Sequence, residues 1–168
     1  MNRPSEATPA PRILFVCLGN ICRSPAAEAV VRGMARTKGV VLSLDSAGTG
    51  GWHVGEAPYG PMQRAAGARG HDLSDLRARQ VTAVDDGRFD LILAMDGQNL
   101  ADLRALMPGR PQATLRLFTD YAPETGAGAV PDPYYTRDFD GALDLIEACA
   151  AGLLRSLQEQ LASAVAPN

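Results

Sequence analysis

Apolar residues along the chain follow two alternating patterns: short unbroken runs, and longer stretches in which they recur at helical spacing. The runs predict β-strands at residues 13–16, 40–47, 89–95 and 114–118. Helical spacing predicts helices at about residues 24–38, 98–106 and 138–162, and a further helix that begins at Pro58 or Pro61 and ends at about residue 68. Because strands and helices alternate, we expect an α/β fold, a three-layer α/β/α sandwich around a four-stranded parallel sheet.

Residues 13–25, ILFVCLGNICRSP, predict a specialised loop at the end of the first strand. The apolar run ends at Cys17, and the loop that follows contains Gly19 and Asn20, the residue types that most readily take positive φ. Ser24 and Pro25 predict an N-cap and the first turn of a helix. A loop that curls toward a helix N-terminus points successive N–H groups inward, so we expect an anion-binding nest after this strand.

Cys17 and Arg23 have the spacing of a nucleophile and a clamp around such a nest. The field that binds an anion also stabilises a thiolate, so Cys17 should be nucleophilic near neutral pH. Arginine can hold two phosphoryl oxygens at once, and the five intervening residues are enough to wrap a tetrahedral oxyanion. A bare Cys-x5-Arg also arises by chance, with a buried structural cysteine near a surface arginine. The strand, the Gly-Asn loop and the helix start favour the phosphate-binding interpretation.

Asp132 is the candidate proton donor. It stands between two prolines in Pro131-Asp132-Pro133-Tyr134-Tyr135, which restrict its backbone to extended conformations and fix the direction of its carboxyl group. A carboxyl group beside a bound dianion retains its proton, which suits a general acid. An ordinary Asx-Pro turn is the alternative. The residues 119–135 form a long stretch without strand or helix periodicity, as in many functional loops.

These stretches resemble the low-molecular-weight protein tyrosine phosphatase family. Residues 16–25, VCLGNICRSP, resemble its phosphate loop, and residues 132–135, DPYY, resemble its general-acid loop. Residues 46–49 and 52–55 match a further familiar stretch, and the resemblance extends from about residue 12 to the final helix. It implies hydrolysis of phosphotyrosine monoesters through a phosphocysteine intermediate.

The resemblance also implies a role for each site residue. Cys17 is the nucleophile, Arg23 the phosphate clamp and Asp132 the general acid and base. Ser24 donates to the thiolate and then to the departing sulfur, while Asn20 and Ser46 hold the loop in shape. The phosphate-binding loop comprises Leu18, Gly19, Asn20, Ile21, Cys22 and Ser24, and the walls of the substrate slot are Trp52, Tyr134 and Tyr135.

The resemblance also implies regulation by oxidation and by phosphorylation. Cys22 resembles the second loop cysteine of the family, which forms a reversible disulfide with the nucleophile; the alternative is a filler residue in the loop. Tyr134 and Tyr135 resemble tyrosines that kinases modify in relatives, so a tyrosine kinase is a candidate partner beside the phosphotyrosine-containing protein substrate. In one departure, relatives place a histidine near Leu76 to brace the loop asparagine, whereas His71 lies elsewhere. We expect altered loop rigidity rather than lost activity.

Three other functions stay open. Ile21 stands where relatives that resemble phosphoarginine phosphatases tend to carry threonine, which favours phosphotyrosine over phosphoarginine or another small aryl phosphate. A thiol-linked arsenate reductase needs two further cysteines near the site, and the sequence has none between Cys22 and Cys149. A non-catalytic phosphate-binding module has no need of Cys17, Arg23 and Asp132 together.

Composition, charge and cysteine content argue against several other classes of protein. The 168 residues suit a single domain at 12–165, preceded by a polar, proline-rich tail at 1–11 that we expect to be flexible. A net charge of −3 without a basic run argues against nucleic-acid binding, and no apolar run reaches membrane-spanning length. An odd number of cysteines argues against a disulfide framework and for a reducing, cytoplasmic setting. We expect a monomer with no cofactor and no metal, since the 2 histidines offer little for a zinc site.

Overall fold

Four parallel strands form the centre of the protein. The structure is a computed structural model that describes residues 9–165. The strands are β1 (Arg12–Cys17), β2 (Ser43–Gly48), β3 (Leu91–Ala94) and β4 (Thr114–Leu117), and their order across the sheet is β2-β1-β3-β4. The predicted four-stranded parallel sheet is therefore confirmed.

Helices make the crossovers between these strands, as parallel pairing requires. The crossover helices are α1 (Arg23–Lys38), α2 (Gly60–Gly67) and α3 (Gly97–Leu106), whereas α4 (Pro133–Thr136) and α5 (Phe139–Val165) follow the last strand. Short 3₁₀ turns cover Ala83–Gly87, Phe118–Tyr121 and Pro123–Thr125. Gly39 ends α1 in the left-handed conformation with φ 69°.

Side chains of β1 alternate between two cores, one on each face of the sheet. Ile13 and Phe15 belong to the core that contains α1 and α5, and Leu14 and Val16 belong to the core with Leu103 of α3. All four strand residues are fully buried. Helices thus cover both faces, which confirms the three-layer α/β/α sandwich.

The register of the strands gathers three loops at one edge. Cys17 is paired with Gly48 of β2, and Val16 with Ala94 of β3, so β1, β2 and β3 end at the same level. Asp96 lies two residues after the end of β3 and caps α3. The loops after these strands therefore share the carboxyl edge at which parallel sheets bind ligands.

Several predicted boundaries differ from the structure. β2 begins at Ser43 rather than at residue 40, because Val40 is still bound to the end of α1 through Ala35. β3 begins at Leu91, and the residues 119–135 contain two 3₁₀ turns and the start of α4. Of the predicted tail, residues 1–8 lie outside the described residues. Within the described part of the chain, none of the helices is long and apolar enough to cross a membrane.

Replacing either of two helical glycines by alanine should change the free energy of unfolding in opposite directions. Gly152 of α5 lies where an added Cβ would be 1.8 Å from the backbone oxygen of Tyr121, whereas nothing approaches the corresponding position of Gly33 in α1. Gly33→Ala should raise the free energy of unfolding by about 1 kcal/mol, since alanine favours helix. Gly152→Ala should lower it by about 2 kcal/mol or more through overpacking. Urea denaturation checks both, and equal effects of the two substitutions would contradict the packing described for α5.

Candidate active site

The loop after β1 turns its carbonyl groups outward. The oxygens of Cys17 and Leu18 accept hydrogen bonds from the backbone N–H groups of Thr49 and Gly50, both at 2.9 Å. Those of Ile21 and Cys22 accept from Tyr59 at 2.8 Å and Ala26 at 3.2 Å. A trans peptide unit carries its N–H opposite its C=O. The N–H groups of these four peptide units therefore face the inner side of the loop. They belong to Leu18, Gly19, Cys22 and Arg23.

Asn20 makes the turn that closes this loop. Its φ of 57° is left-handed, a conformation that asparagine tolerates better than most residues. Its backbone N–H points at the Sγ of Cys17 at 3.3 Å, and its Nδ2 donates to the hydroxyls of Ser24 at 2.8 Å and Ser46 at 3.0 Å. Gly19, the other residue predicted to favour positive φ, does not adopt it. Asn20 alone supplies the left-handed step between Cys17 and Arg23.

Ser24 lies beneath the sulfur rather than at a helix cap. Its Oγ is 3.0 Å from the Sγ of Cys17. The prediction that Ser24 is the N-cap is wrong, because α1 already begins at Arg23 and Cys22 is its N-cap. Since Ser24 Oγ accepts from Asn20, its own proton is available to the sulfur or to the carbonyl of Ala47 at 3.3 Å. Ser24 can thus donate to a thiolate at Cys17.

Gly48, which the sequence analysis did not place in the site, supports the loop by having no side chain. An added Cβ would lie 2.7 Å from the carbonyl oxygen of Leu18 and 3.0 Å from the carbonyl carbon of Gly19. Both atoms belong to the backbone, which cannot move without reshaping the loop. The phosphate loop therefore rests directly on the last residue of β2, an approach that only glycine allows.

Arg23 is held by one end of its guanidinium. The side chain is 4% exposed, and its Nη1 donates to Asp96 Oδ2 at 2.7 Å and to the carbonyl of Val130 at 3.0 Å. Both Nη1 hydrogens are thereby used, so that Nε–H and one Nη2–H remain for two oxygens of a bound anion, while Nη2 also contacts Asp132. Asp96, which is absent from the predicted site residues, therefore holds Arg23 through Oδ2 while its Oδ1 caps α3 by accepting from the N–H of Asn99.

Asp132 lies beside the guanidinium of Arg23. It caps α4, with Oδ1 accepting from the N–H of Tyr134 at 3.1 Å, and its Oδ2 lies 3.5 Å from Nη2 of Arg23. Proline on both sides and this cap fix the direction of the carboxyl group, as the sequence suggested. Asp132 and Cys17 line the same cavity.

This cavity has a volume of about 270 Å³ and an aromatic rim. Trp52 and Tyr135 are each 72% exposed, and Tyr134 is 45% exposed. His53 also lines the cavity, with its ring against Gly19 and its Nδ1 2.7 Å from Glu56 Oε2; the sequence analysis did not include it. The side chains of Asn20, Ser24 and Ser46 bond to one another outside the cavity lining. The remaining predicted residues line the cavity itself: Leu18, Gly19, Ile21, Cys22 and Arg23.

The three cysteines differ in their surroundings. All are free thiols. Burial, together with the nearby Cys17 and Asp132, raises the pKa of Cys22 to about 12, and burial raises the pKa of Cys149 in α5 to about 12 as well. Cys17 is the one whose sulfur receives the hydrogen bonds of Asn20 and Ser24.

A thiol inside an anion-binding loop, at the carboxyl edge of a parallel sheet, defines the class of a cysteine-dependent phosphatase. Residues 12–163 match the model of the family described as low molecular weight phosphotyrosine protein phosphatase. YfkJ of Bacillus subtilis, a low molecular weight protein-tyrosine-phosphatase, is 41% identical over 150 residues, or 88% of this chain and 96% of YfkJ. The low molecular weight protein-tyrosine-phosphatase of Streptomyces coelicolor is 43% identical over 157 residues, 89% and 95% of the two chains.

Solved structures agree with these sequence matches. The crystal structure of YfkJ superposes with a TM-score of 0.87 at 39% identity, over 91% of this chain and 98% of that chain. A Drosophila arginine phosphatase superposes with a TM-score of 0.80 at 30% identity, over 86% and 96%. The chain belongs to the low molecular weight phosphotyrosine protein phosphatase family, which confirms the predicted resemblance.

The cysteine environments predict selective alkylation. At about pH 7, roughly one molecule in 10⁵ carries the thiolate when the pKa of the thiol is about 12. Cys22 and Cys149 should therefore resist iodoacetate. Cys17 should be carboxymethylated first, because its loop attracts the reagent's carboxylate and stabilises the thiolate. Peptide mapping by mass spectrometry identifies the modified residue, and inorganic phosphate should protect it. Equal modification of the three cysteines, or no protection by phosphate, would contradict the anion-binding loop.

Proposed function

We propose that this protein hydrolyses phosphotyrosine monoesters through a phosphocysteine intermediate on Cys17. The observation that carries the proposal is the convergence of donors on one sulfur, Ser24 Oγ at 3.0 Å and the Asn20 N–H at 3.3 Å, in a cavity shared with Arg23 and Asp132. Nucleophile, anion cradle and proton donor are the parts that monoester hydrolysis requires. Family membership supports the same activity.

In the first step, the Cys17 thiolate attacks phosphorus as the bond to the phenolic oxygen breaks. Asp132 gives its proton to that oxygen, which would otherwise leave as a phenolate with a conjugate-acid pKa of about 10. The inward N–H groups of the loop and the free edge of Arg23 hold the equatorial oxygens. Preorganised donors of this kind supply most of the stabilisation in phosphoryl transfer.

In the second step, water attacks phosphorus and the bond to sulfur breaks. Asp132, now ionised, accepts the proton of the water. Ser24 donates its hydrogen bond to the sulfur as that atom regains negative charge, an action for which it is positioned by Asn20. Inorganic phosphate leaves, and the thiolate and the protonated carboxyl group are restored.

Aromatic walls support phosphotyrosine as the substrate. Trp52, Tyr134 and Tyr135 line the cavity, and flat aromatic rings suit contact with a phenyl group. Ile21 adds an apolar contact at the cavity wall. The similarity to a Drosophila arginine phosphatase favours phosphoarginine as the second candidate. Arsenate reduction fits less well, because Cys149 is fully buried in α5 and cannot relay a disulfide to Cys17.

We also propose a setting and a partner. A nucleophilic thiol must stay reduced, and the three free cysteines fit a reducing compartment such as the cytoplasm. We expect the protein to act on its phosphoprotein substrate as a monomer. The exposed hydroxyl-bearing rings of Tyr134 and Tyr135 are accessible to a tyrosine kinase, which is the candidate regulatory partner.

Substitution of the nucleophile tests the activity. Cys17→Ser should abolish turnover of p-nitrophenyl phosphate, because a neutral hydroxyl cannot replace the thiolate. Cys149→Ser is the matched control and should keep turnover, since Cys149 lies in α5, outside the residues that line the cavity. Release of phosphate from phosphotyrosine, phosphoserine and phosphoarginine peptides is measured side by side.

The peptides decide between the candidate functions. Fastest release from phosphotyrosine is the expected result, and faster release from phosphoarginine would replace the proposed substrate. Loss of phosphate binding is not expected in Cys17→Ser. A wild-type protein that binds phosphate but hydrolyses none of these substrates is a binding module, and the proposal is then wrong.

Asp132→Asn tests the proton donor. The amide still caps α4 through Tyr134 but carries no acidic proton, so phenyl phosphate should be hydrolysed about 100-fold more slowly. The loss should be much smaller for p-nitrophenyl phosphate, whose leaving group needs less protonation. Asp138→Asn is the control, because Asp138 caps α5 in the same manner through Gly141, outside the cavity lining. Equal losses for the two substrates would remove Asp132 from the acid role.

A further inference from the structure

Asn20 is itself held by a residue outside the site. Its Oδ1 accepts a hydrogen bond from the backbone N–H of Arg79 at 3.0 Å. The carbonyl of Arg79 accepts from the N–H of Gly48 at 2.9 Å, and Val81 donates to the carbonyl of Gly48 at 2.8 Å. The segment around Arg79 therefore lies alongside the end of β2 and contacts both the loop asparagine and the glycine on which the loop rests.

The donor character of Arg79 N–H fixes which way the Asn20 amide faces. An N–H can bond only to the oxygen of that amide, so Nδ2 must face the opposite way, toward Ser24 and Ser46. Ser24 Oγ then acts as an acceptor for Asn20 and directs its own proton elsewhere. The Sγ of Cys17, at 3.0 Å, is the nearer of its two acceptors.

The side chain of Arg79 fixes the position of its own backbone. Nη1 and Nη2 form a two-pronged contact with Asp85, both bonds 3.1 Å long, and Nε donates to Asp45 at 3.0 Å. Asp85 is 1% exposed and also accepts from the N–H of Thr82 at 2.9 Å. Only the Asp85 side of this pair is buried, and the two-pronged contact constrains the geometry of the guanidinium. These contacts attach the Arg79 segment to β2 at Asp45 and to the 3₁₀ turn that contains Asp85.

We propose that Arg79 is a positioning residue for Cys17, acting through the chain of hydrogen bonds from its backbone N–H to Asn20, from Asn20 to Ser24, and from Ser24 to the sulfur. The proposal rests on the proposed function in that Cys17 is the nucleophile. Loosening the side chain of Arg79 lets the Asn20 amide rotate, and the Ser24 proton is then no longer held toward the sulfur.

Arg79→Lys and Arg69→Lys form a matched pair of variants. Lysine keeps the charge but cannot make the two-pronged contact. Arg69 is bound by three carboxylates, those of Asp140, Asp144 and Glu147 in α5, so its replacement removes a comparable set of ion pairs away from the loop. Both variants should lower the melting temperature. The titratable groups that share the cavity with Cys17 are unchanged in both: Cys22, Arg23, His53, Asp132, Tyr134 and Tyr135.

The rate of Cys17 alkylation by iodoacetamide, measured from about pH 5 to about pH 9, is the deciding measurement. In Arg79→Lys the profile should move to higher pH, with alkylation at about pH 6 slowed roughly tenfold, as a shift of one pH unit gives. Turnover number for p-nitrophenyl phosphate should fall about tenfold or more while KM changes less, because misplacement affects the reaction more than binding. Arg69→Lys should keep the wild-type profile. A wild-type profile in Arg79→Lys overturns the proposal, and so does an equal shift in both variants.

Asp45→Asn covers the case in which Arg79→Lys does not fold. Asp45 is half-exposed, and asparagine retains the acceptor for the N–H of Ser46 while weakening the contact with Arg79. It should shift the profile in the same direction by a smaller amount, and an unchanged profile overturns the proposal.

Alkylation of Cys17 does not require the protein to hydrolyse a substrate, so it tests the role of Arg79 separately from the proposed function. If the wild-type protein alkylates normally but hydrolyses nothing, the proposed function fails while the profiles still decide the role of Arg79.

Discussion

The planarity of the peptide bond is the constraint on which the site depends. Four carbonyl groups of the phosphate loop are bound outward, to Thr49, Gly50, Tyr59 and Ala26, and their peptide partners must therefore turn inward. No side chain is needed to create this cradle. It exists because the loop is surrounded by N–H donors, and those donors come from the segments that follow β2 and from the first turn of α1.

The fold makes this arrangement possible by bringing backbone very close to backbone. Gly48 ends β2 beneath Leu18 and Gly19, at a separation that would not admit even a methyl group. Parallel pairing with β1 sets the height of that contact, since Cys17 and Gly48 are partners in the register. The position of the loop thus follows from the sheet, and the direction of its N–H groups follows from the hydrogen bonds around it.

Local sequence was sufficient to predict the sheet and to single out Cys17, Arg23 and Asp132, which line one cavity, because each carries its own signal of strand end, turn or proline. It was insufficient for partners that are distant along the chain. Arg23 meets Asp96, 73 positions away, and Asn20 meets the backbone of Arg79, 59 positions away. A backbone donor leaves no side-chain signal at all. Ser24 was misassigned as a cap because serine before proline has the same pattern whether its hydroxyl serves the helix or a neighbouring sulfur.

The two cysteines of the loop show how selective the arrangement is. Cys22 lies in the same loop as Cys17 and lines the same cavity, yet burial and the neighbouring Cys17 and Asp132 raise its pKa to about 12. Negative charge at one sulfur opposes ionisation of the other, since both lie in a poorly solvated space. The hydrogen bonds from Asn20 and Ser24 are made to Cys17 rather than to Cys22. Cys22 therefore stays a neutral thiol beside the cradle near neutral pH.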